Sequence, residues 1–339
     1  MLEALTRVLP AGFRLRMSDV ATVVGARGRV GRAFTNAARR LRKYRTVQEI
    51  STRPSSVMYY RLLGGEGDPI FVATTADSIQ CVIKATPPTR RNDLVWMQNG
   101  ILTGVLGQHH LADTTRAVLR LSAQADGSFQ SGSLASVVHG THAHDFANIL
   151  RVGGGVECDV TSNLSDVDVA AFQKLLWSTA VPLLCNALGG VDVAHVIKNA
   201  GDDLDLLVRE LAYAAAPHAL GRNLHDCEAD SAVAHVRAYS ADVSSSKPSS
   251  KLAQDEWAWR NGWFLKRGCD PIMMLLQKAL NLLESKRARL PHLDVRRATR
   301  AVLRGRTLLR CLIERSLARL HLLLSLLERL AQRDALRLL

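Results

Sequence analysis

A short apolar run at residues 21–24 leads directly into GARGRVG at residues 25–31, and a basic stretch follows at 32–45. Glycine opens backbone conformations closed to other residues, so the order reads as strand, glycine turn and helix. That order narrows the fold. A strand feeding a helix through such a turn is the opening unit of a parallel α/β sheet. Further strands are expected at 46–51, 69–74 and 94–97, with an irregular connection before the third at Gly64, Gly65 and Gly67. Residues 117–160 carry Val/Leu/Ser-rich pieces broken by Ala-Asp-Gly and Gly153-Gly154-Gly155, and are expected to supply the outer strands that close a first domain.

From about residue 166 the pattern becomes long and helical, with helices expected at 168–189, 202–217 and 227–238. A Ser/Lys/Pro-rich loop at 240–251 precedes another helix from 253 onward. The fold class is therefore α/β, a Rossmann-like parallel-sheet domain at 17–160 followed by an all-helical domain at 165–285. A chain of 339 residues is long enough for two such cores. Residues 286–339 form a basic Leu/Arg-rich tail, and residues 1–16 read as a targeting or disordered extension. The charge-free stretch at 175–191 contains Pro182 and Asn186 and reads as a buried helix, not a bilayer span.

The net charge of +13 is unevenly spread. Residues 1–45 carry +9 and 285–339 carry +10, while 46–284 carry −6. The high pI thus describes the two ends and not the body, and no aromatic residues interleave the tail arginines, so nucleic acid is not expected as a partner. In the tail, Ile313, Leu317, Leu320, Leu324 and Leu327 repeat like a short coiled-coil seam, which calls for a partner helix, the body of the protein or an anionic membrane. Six scattered cysteines without a CxxC pair argue against a disulfide scaffold and for a reducing, intracellular setting, cytoplasmic or in a plastid or mitochondrion, and not for secretion.

Five groups of residues carry candidate chemistry. Gly25, Gly28 and Gly31 would let backbone N–H groups approach a pyrophosphate at the positive end of a helix. After the second strand, Arg53 stands with Ser51, Thr52 and Ser55 where a 2′-phosphate would sit, which favours NADP over NAD, while Glu49 lies early for a ribose-binding acid. Asn99, in Gln98-Asn99-Gly100, follows the fourth strand and can both donate and accept hydrogen bonds. Lys174 lies among apolar residues, a setting that lowers proton affinity and suits proton donation. Glu256, in the tryptophan-rich DEWAWRNGWF, is four residues from Arg260 and either pairs with it or serves a ligand. The histidines of HGTHAH, His139, His142 and His144, lack a carboxylate or cysteine framework, so no metal is expected; strand alternation would put His142 and His144 on one face.

Taken in order, the glycine turn, QNG, FQKLLW and a Ser-Ser loop before EWAWRNGWFL resemble the ketopantoate reductase (2-dehydropantoate 2-reductase) family over residues 20–280, most closely its divergent plant and algal members. The resemblance implies a Rossmann domain, a helical domain and NADPH-dependent reduction of a small 2-oxo acid or related carbonyl. By position it implies that Asn99 orients substrate beside the nicotinamide, that Lys174 is the general acid, that Glu256 holds a substrate hydroxyl, and that Ser249 or Ser250 receives its carboxylate. Ser178 replaces a substrate-contacting asparagine of the family, and Thr74 and Thr75 stand where it has a lysine. A homodimer is expected on the same footing. The alternative is a catalytically inactive nucleotide-binding or scaffold protein that keeps the fold.

Overall fold

The computed structural model describes residues 19–51, 61–248 and 255–267. Arg53, Ser249, Ser250, the extension at 1–16 and the leucine seam of the tail lie outside the described residues. Two compact units divide the chain. The first takes in residues up to Gln98 together with Leu102–Val167; the second takes in Asn99–Ile101 and the residues from Asp168 onward.

In the first unit β1 (Val20–Val24), β2 (Thr46–Ile50), β3 (Ile70–Val72), β4 (Leu94–Trp96) and β5 (Thr115–Val118) run parallel in one sheet. The hairpin β6 (Leu121–Ala123) and β7 (Phe129–Ser131) stands apart, while β8 (Ser136–His139) joins β5 antiparallel and β9 (Cys158–Val160) joins β8 parallel. The seven-stranded order is β2-β1-β3-β4-β5-β8-β9. β3 and β4 are buried at every residue, as strands covered on both faces must be.

Helix α1 (Arg29–Leu41) follows β1 and buries Gly31, Phe34, Thr35 and Ala38, one stripe at helical spacing, with Arg39 and Arg40 complementing the dipole in its last turn. It ends at Arg42, whose φ of 52° is left-handed, so the basic helix stops four residues short of position 45. Phe34 anchors it, its ring 4.7 Å from Phe71 of β3 and 5.3 Å from Phe146. Burial of each such ring is worth about 2–3 kcal/mol, which makes this trio the main fastening of α1 to the sheet.

Helices α2 (Ile79–Ala85) and α3 (Thr103–Gln108) lie in the connections. Phe146 belongs to α4 (Ala143–Asn148), which runs into a π-helical turn at Ile149–Gly153. The expectation of strands throughout 117–160 is corrected here. His142 precedes the first residue of α4 instead of continuing β8, so the alternation that paired His142 with His144 does not hold. The turn also packs on α1: a Cβ at Gly153 would lie 2.1 Å from the Ala37 carbonyl oxygen.

Two side chains organise the route from β2 to β3. Gln48 donates to the Arg61 carbonyl at 2.7 Å and accepts from the Leu63 N–H and the Thr22 hydroxyl, both at 3.1 Å. Buried Arg90 reaches the carbonyls of Gly64 and Asp68 at 2.6 and 2.7 Å, and its Nε bonds Asp93 at 2.6 Å. Asp93 also accepts from the Gly67 N–H, with His142 Nε2 3.6 Å away. Burial alone pushes the Asp93 carboxyl up, but the bonds from His142, Arg90 and Gly67 together outweigh it and hold it below the usual range.

The second unit contains no strand among its described residues. Helix α5 (Leu164–Ala187) continues through Pro182, and nearly every side chain from Leu175 to Cys185 is buried. Helix α6 (Val193–Ala219) is capped by Asp192, which accepts from the His195 N–H at 2.8 Å. It starts nine residues before the expected 202 because a kink at Ala200, φ −141°, lets it continue past Asn199-Ala200-Gly201. Helix α7 (Asp226–Asp242) packs on α6, and Arg237 grips Asp205 with Nε and Nη2 on separate oxygens at 2.7 and 2.8 Å. A 3-10 turn (Trp257–Trp259) and α8 (Asn261–Leu265) stand where a long helix from 253 is expected. Among the described residues no helix is long and apolar enough to cross a membrane.

Candidate active site

The turn between β1 and α1 is shaped by close backbone contact. Gly25 has φ +86°, and a Cβ there would meet the Ala73 carbonyl at 2.9 Å. A Cβ on Gly31 would lie 2.1 Å from the Gly25 oxygen, so only glycine lets the first turn of α1 press on the turn that precedes it. Gly28 is less constrained, its nearest neighbour being the Gly25 oxygen at 3.3 Å.

The hydrogen bonds show what this turn offers. The N–H groups of Gly25 and Ala26 go to the Ile50 carbonyl, and that of Gly28 goes to Gly25. The N–H groups of Arg29, Val30 and Gly31, in the first turn of α1, have no carbonyl one turn earlier to bond. No acid stands in that first turn, and Arg27, Arg29 and Arg32 are exposed around it. The result is a positive, backbone-lined cradle of the kind that accepts a phosphate. On β2, Glu49 is engaged by Arg39 of α1 at 2.5 Å.

QNG begins one residue past β4. Gln98 is buried and donates through Nε2 to the Val72 carbonyl at 2.8 Å. Asn99 is half-buried, and Gly100 has φ +98°. A Cβ on Gly100 would meet Trp259 at 3.2–3.3 Å, so the fold brings QNG against WAWRNGW, two motifs far apart in sequence. Ile101 packs on the helical core of the second unit.

Lys174 is half-buried on α5. Ser178, one turn on, is buried and its hydroxyl donates to the Leu175 carbonyl at 3.0 Å. Glu256 is 8% exposed, as is Arg260. They do pair, but across the 3-10 turn, with Arg260 Nε at 2.7 Å and Nη2 at 2.6 Å from one oxygen, Oε2. The spacing of four residues made this pair legible; the convergence of both nitrogens on a single oxygen has no signature in sequence.

The histidine segment takes no part in either arrangement. His139 Nδ1 lies 3.0 Å from the Thr161 carbonyl and buried His142 faces Asp93. Among the described residues no three histidine, cysteine or carboxylate side chains are grouped to hold a metal ion.

No protein-family model matches the chain, and no curated protein matches it in sequence. Solved structures do match in fold. A PanE/ApbA-family ketopantoate reductase from Ralstonia eutropha aligns at TM-score 0.55 with 17% identity, covering 79% of this chain and 99% of that one. The chain has the fold of the ketopantoate reductases. A 2-dehydropantoate 2-reductase from Methylococcus capsulatus aligns at TM-score 0.53 with 14% identity over 80% of this chain and 96% of its own. A D-mandelate dehydrogenase solved with NADH aligns at 0.54 with 15% identity over 79% and 99%. A ketopantoate reductase from Staphylococcus aureus, described as dimeric, aligns at 0.51 with 15% identity over 76% and 98%. This likeness joins a Rossmann-type sheet to a helical unit, the fold class expected from the sequence.

Proposed function

We propose that this chain reduces a small 2-oxo acid, or a related carbonyl compound, with NADPH. The observation that carries the reading is the fold shared over more than three quarters of the chain with enzymes named for such reactions. The glycine cradle supports it. Gly25, Gly28 and Gly31 would hold the pyrophosphate, with Arg53 and the neighbouring hydroxyls at the 2′-phosphate; the engagement of Glu49 by Arg39 favours NADP over NAD.

When bound, NADPH supplies a hydride to the carbonyl carbon. Charge then builds on the carbonyl oxygen, and Lys174 donates the proton that completes the 2-hydroxy acid. Asn99 orients the carbonyl, Glu256 accepts from a substrate hydroxyl, and Ser249 or Ser250 receives the carboxylate. Ser178 adds a hydroxyl at the position one turn past Lys174. A homodimer is part of the proposal, and light scattering on the purified chain tests it.

A second reading, nucleotide binding without turnover, draws on Ser178, whose hydroxyl is bonded into its own helix. One titration separates the two. NADPH fluorescence should report binding, and 2-dehydropantoate should oxidise the bound cofactor; binding without oxidation favours the second reading, and no binding at millimolar NADPH overturns both. Lys174→Ala should keep NADPH affinity while lowering kcat on the order of 100-fold or more.

A further inference from the structure

We infer that Arg260 is a positioning residue, holding Glu256 by one carboxylate oxygen so that the other is presented as a fixed acceptor for a donor group on the ligand. The inference deepens the reductase reading and rests on it for the identity of that ligand, a 2-oxo acid carrying a hydroxyl.

The geometry of three ion pairs in the same unit makes the case. Arg237 meets Asp205 fork to fork, Nε on Oδ1 and Nη2 on Oδ2. Arg222 meets Glu228 likewise, Nη1 on Oε2 at 2.9 Å and Nη2 on Oε1 at 2.5 Å. In those pairs both carboxylate oxygens are consumed, the arrangement in which a guanidinium and a carboxylate bind each other best. Arg260 departs from it. Its Nε and Nη2 both fall on Oε2 of Glu256, at 2.7 and 2.6 Å.

Glu256 Oε1 therefore takes no bond from Arg260, and no other donor among the described residues bonds it. Nor does Oε1 stand among the sealed polar atoms left without a partner, which include Thr179 Oγ1 and Trp263 Nε1 in this unit. A carboxylate oxygen in a residue only 8% exposed, neither satisfied nor sealed, is placed to receive a donor from outside the fold. A purely structural pair gains nothing from leaving it open.

The surroundings fix the orientation. Arg260 N–H bonds the Trp257 carbonyl at 3.2 Å and Trp259 N–H bonds that of Glu256 at 3.0 Å, so carboxylate and guanidinium hang from one tight turn. Trp259 of that turn is the residue that lies on Gly100. The acceptor is thereby tied to the loop carrying Asn99, the residue proposed to orient the carbonyl. The donor it fits is a hydroxyl on the substrate's carbon skeleton.

Two probes test this, 2-dehydropantoate and 3,3-dimethyl-2-oxobutanoate, which is the same skeleton without the hydroxyl. For the parent chain, kcat/KM with NADPH should favour the hydroxylated acid by about 10- to 100-fold, the range for a hydrogen bond to a charged acceptor. Arg260→Met should collapse that ratio towards one, and Arg260→Lys should restore most of it. The double variant Glu256→Gln/Arg260→Met removes both buried charges together and should fold while showing the collapsed ratio. A merely structural Arg260 would lower both acids equally, leave the ratio intact and gain no discrimination from lysine; that result overturns the inference.

Quenching of tryptophan emission by the same two acids provides the second readout, since Trp257, Trp259 and Trp263 surround the pair. Discrimination in binding without any turnover would overturn the reductase reading and uphold the acceptor. Turnover of both acids at equal efficiency by the parent chain would overturn the acceptor and uphold the reductase. Failure of both acids to bind or react would overturn both.

Discussion

At the glycine turn, positions are fixed by what a side chain would strike: a Cβ on Gly31 would sit 2.1 Å from the Gly25 oxygen, and one on Gly25 would sit 2.9 Å from the Ala73 carbonyl. At the 3-10 turn of the second unit, Glu256 is fixed instead by what its partner reaches, two guanidinium nitrogens on one oxygen. Exclusion leaves backbone groups bare for a phosphate, and attraction leaves one carboxylate oxygen bare for a hydroxyl. The comparison teaches that two kinds of constraint prepare the two ends of one proposed reaction, and that they should fail differently.

The largest failure should come at the turn. Gly31→Ala forces a backbone oxygen and a Cβ into the same space and should cost about 3 kcal/mol or more, while Gly25→Ala, strained by its positive φ, should cost about 2 kcal/mol. Urea denaturation checks both, and the losses should not depend on salt, because no charge is involved. An electrostatic constraint in the first unit gives the contrast. Asp93 is held below the usual carboxylate range in the folded chain, so its stabilisation is complete above its unfolded value and disappears as pH falls through the folded one. Denaturation midpoints taken from pH 6 down to 2 should therefore fall, and Asp93→Asn should flatten the acid limb.

Gly28→Ala sharpens the comparison further. With only the Gly25 oxygen at 3.3 Å to press against, it should change stability by less than about 1 kcal/mol. It sits where the pyrophosphate is proposed, so NADPH should bind roughly tenfold more weakly, as for one lost hydrogen bond to a charged group. Thiol labelling should show the smallest effect, a difference in timing. Burial pushes Cys158 up to about 12 and Cys185 to about 11, while Cys81 and Cys227 are exposed. Iodoacetamide at pH 8, followed by peptide mass spectrometry, should modify Cys81 and Cys227 first and reach the other two only on unfolding.

What could be read beforehand follows the range of the interactions. β1, the glycine turn, α1 and the strands β2 to β4 were legible because each is announced by its own residues: apolar runs of four or five bounded by glycine or charge. Helix α4 was not, since HGTHAH alternates like a strand. Its helical state depends on Phe146 meeting Phe34 and on Gly153 meeting Ala37, contacts spanning more than a hundred residues. Asn199-Ala200-Gly201 likewise looked like the end of a segment, yet α6 passes through it with a single kink at Ala200. At the second unit the Glu256–Arg260 spacing was visible, while the approach of Gly100 to Trp259 required the fold.

Gln48 deserves a last consequence. Most chains that cross from the second parallel strand to the third settle their backbone groups internally; here residues 61–63 lean on one primary amide, which gives a proton to the Arg61 carbonyl and takes one from the Leu63 N–H. An amide can serve both ends of such a clamp because it carries a donor and an acceptor side by side. A carboxylate cannot. The isosteric change Gln48→Glu would turn like-signed oxygens on each other at Arg61 and free that segment, with the Leu63 contact left to hold alone.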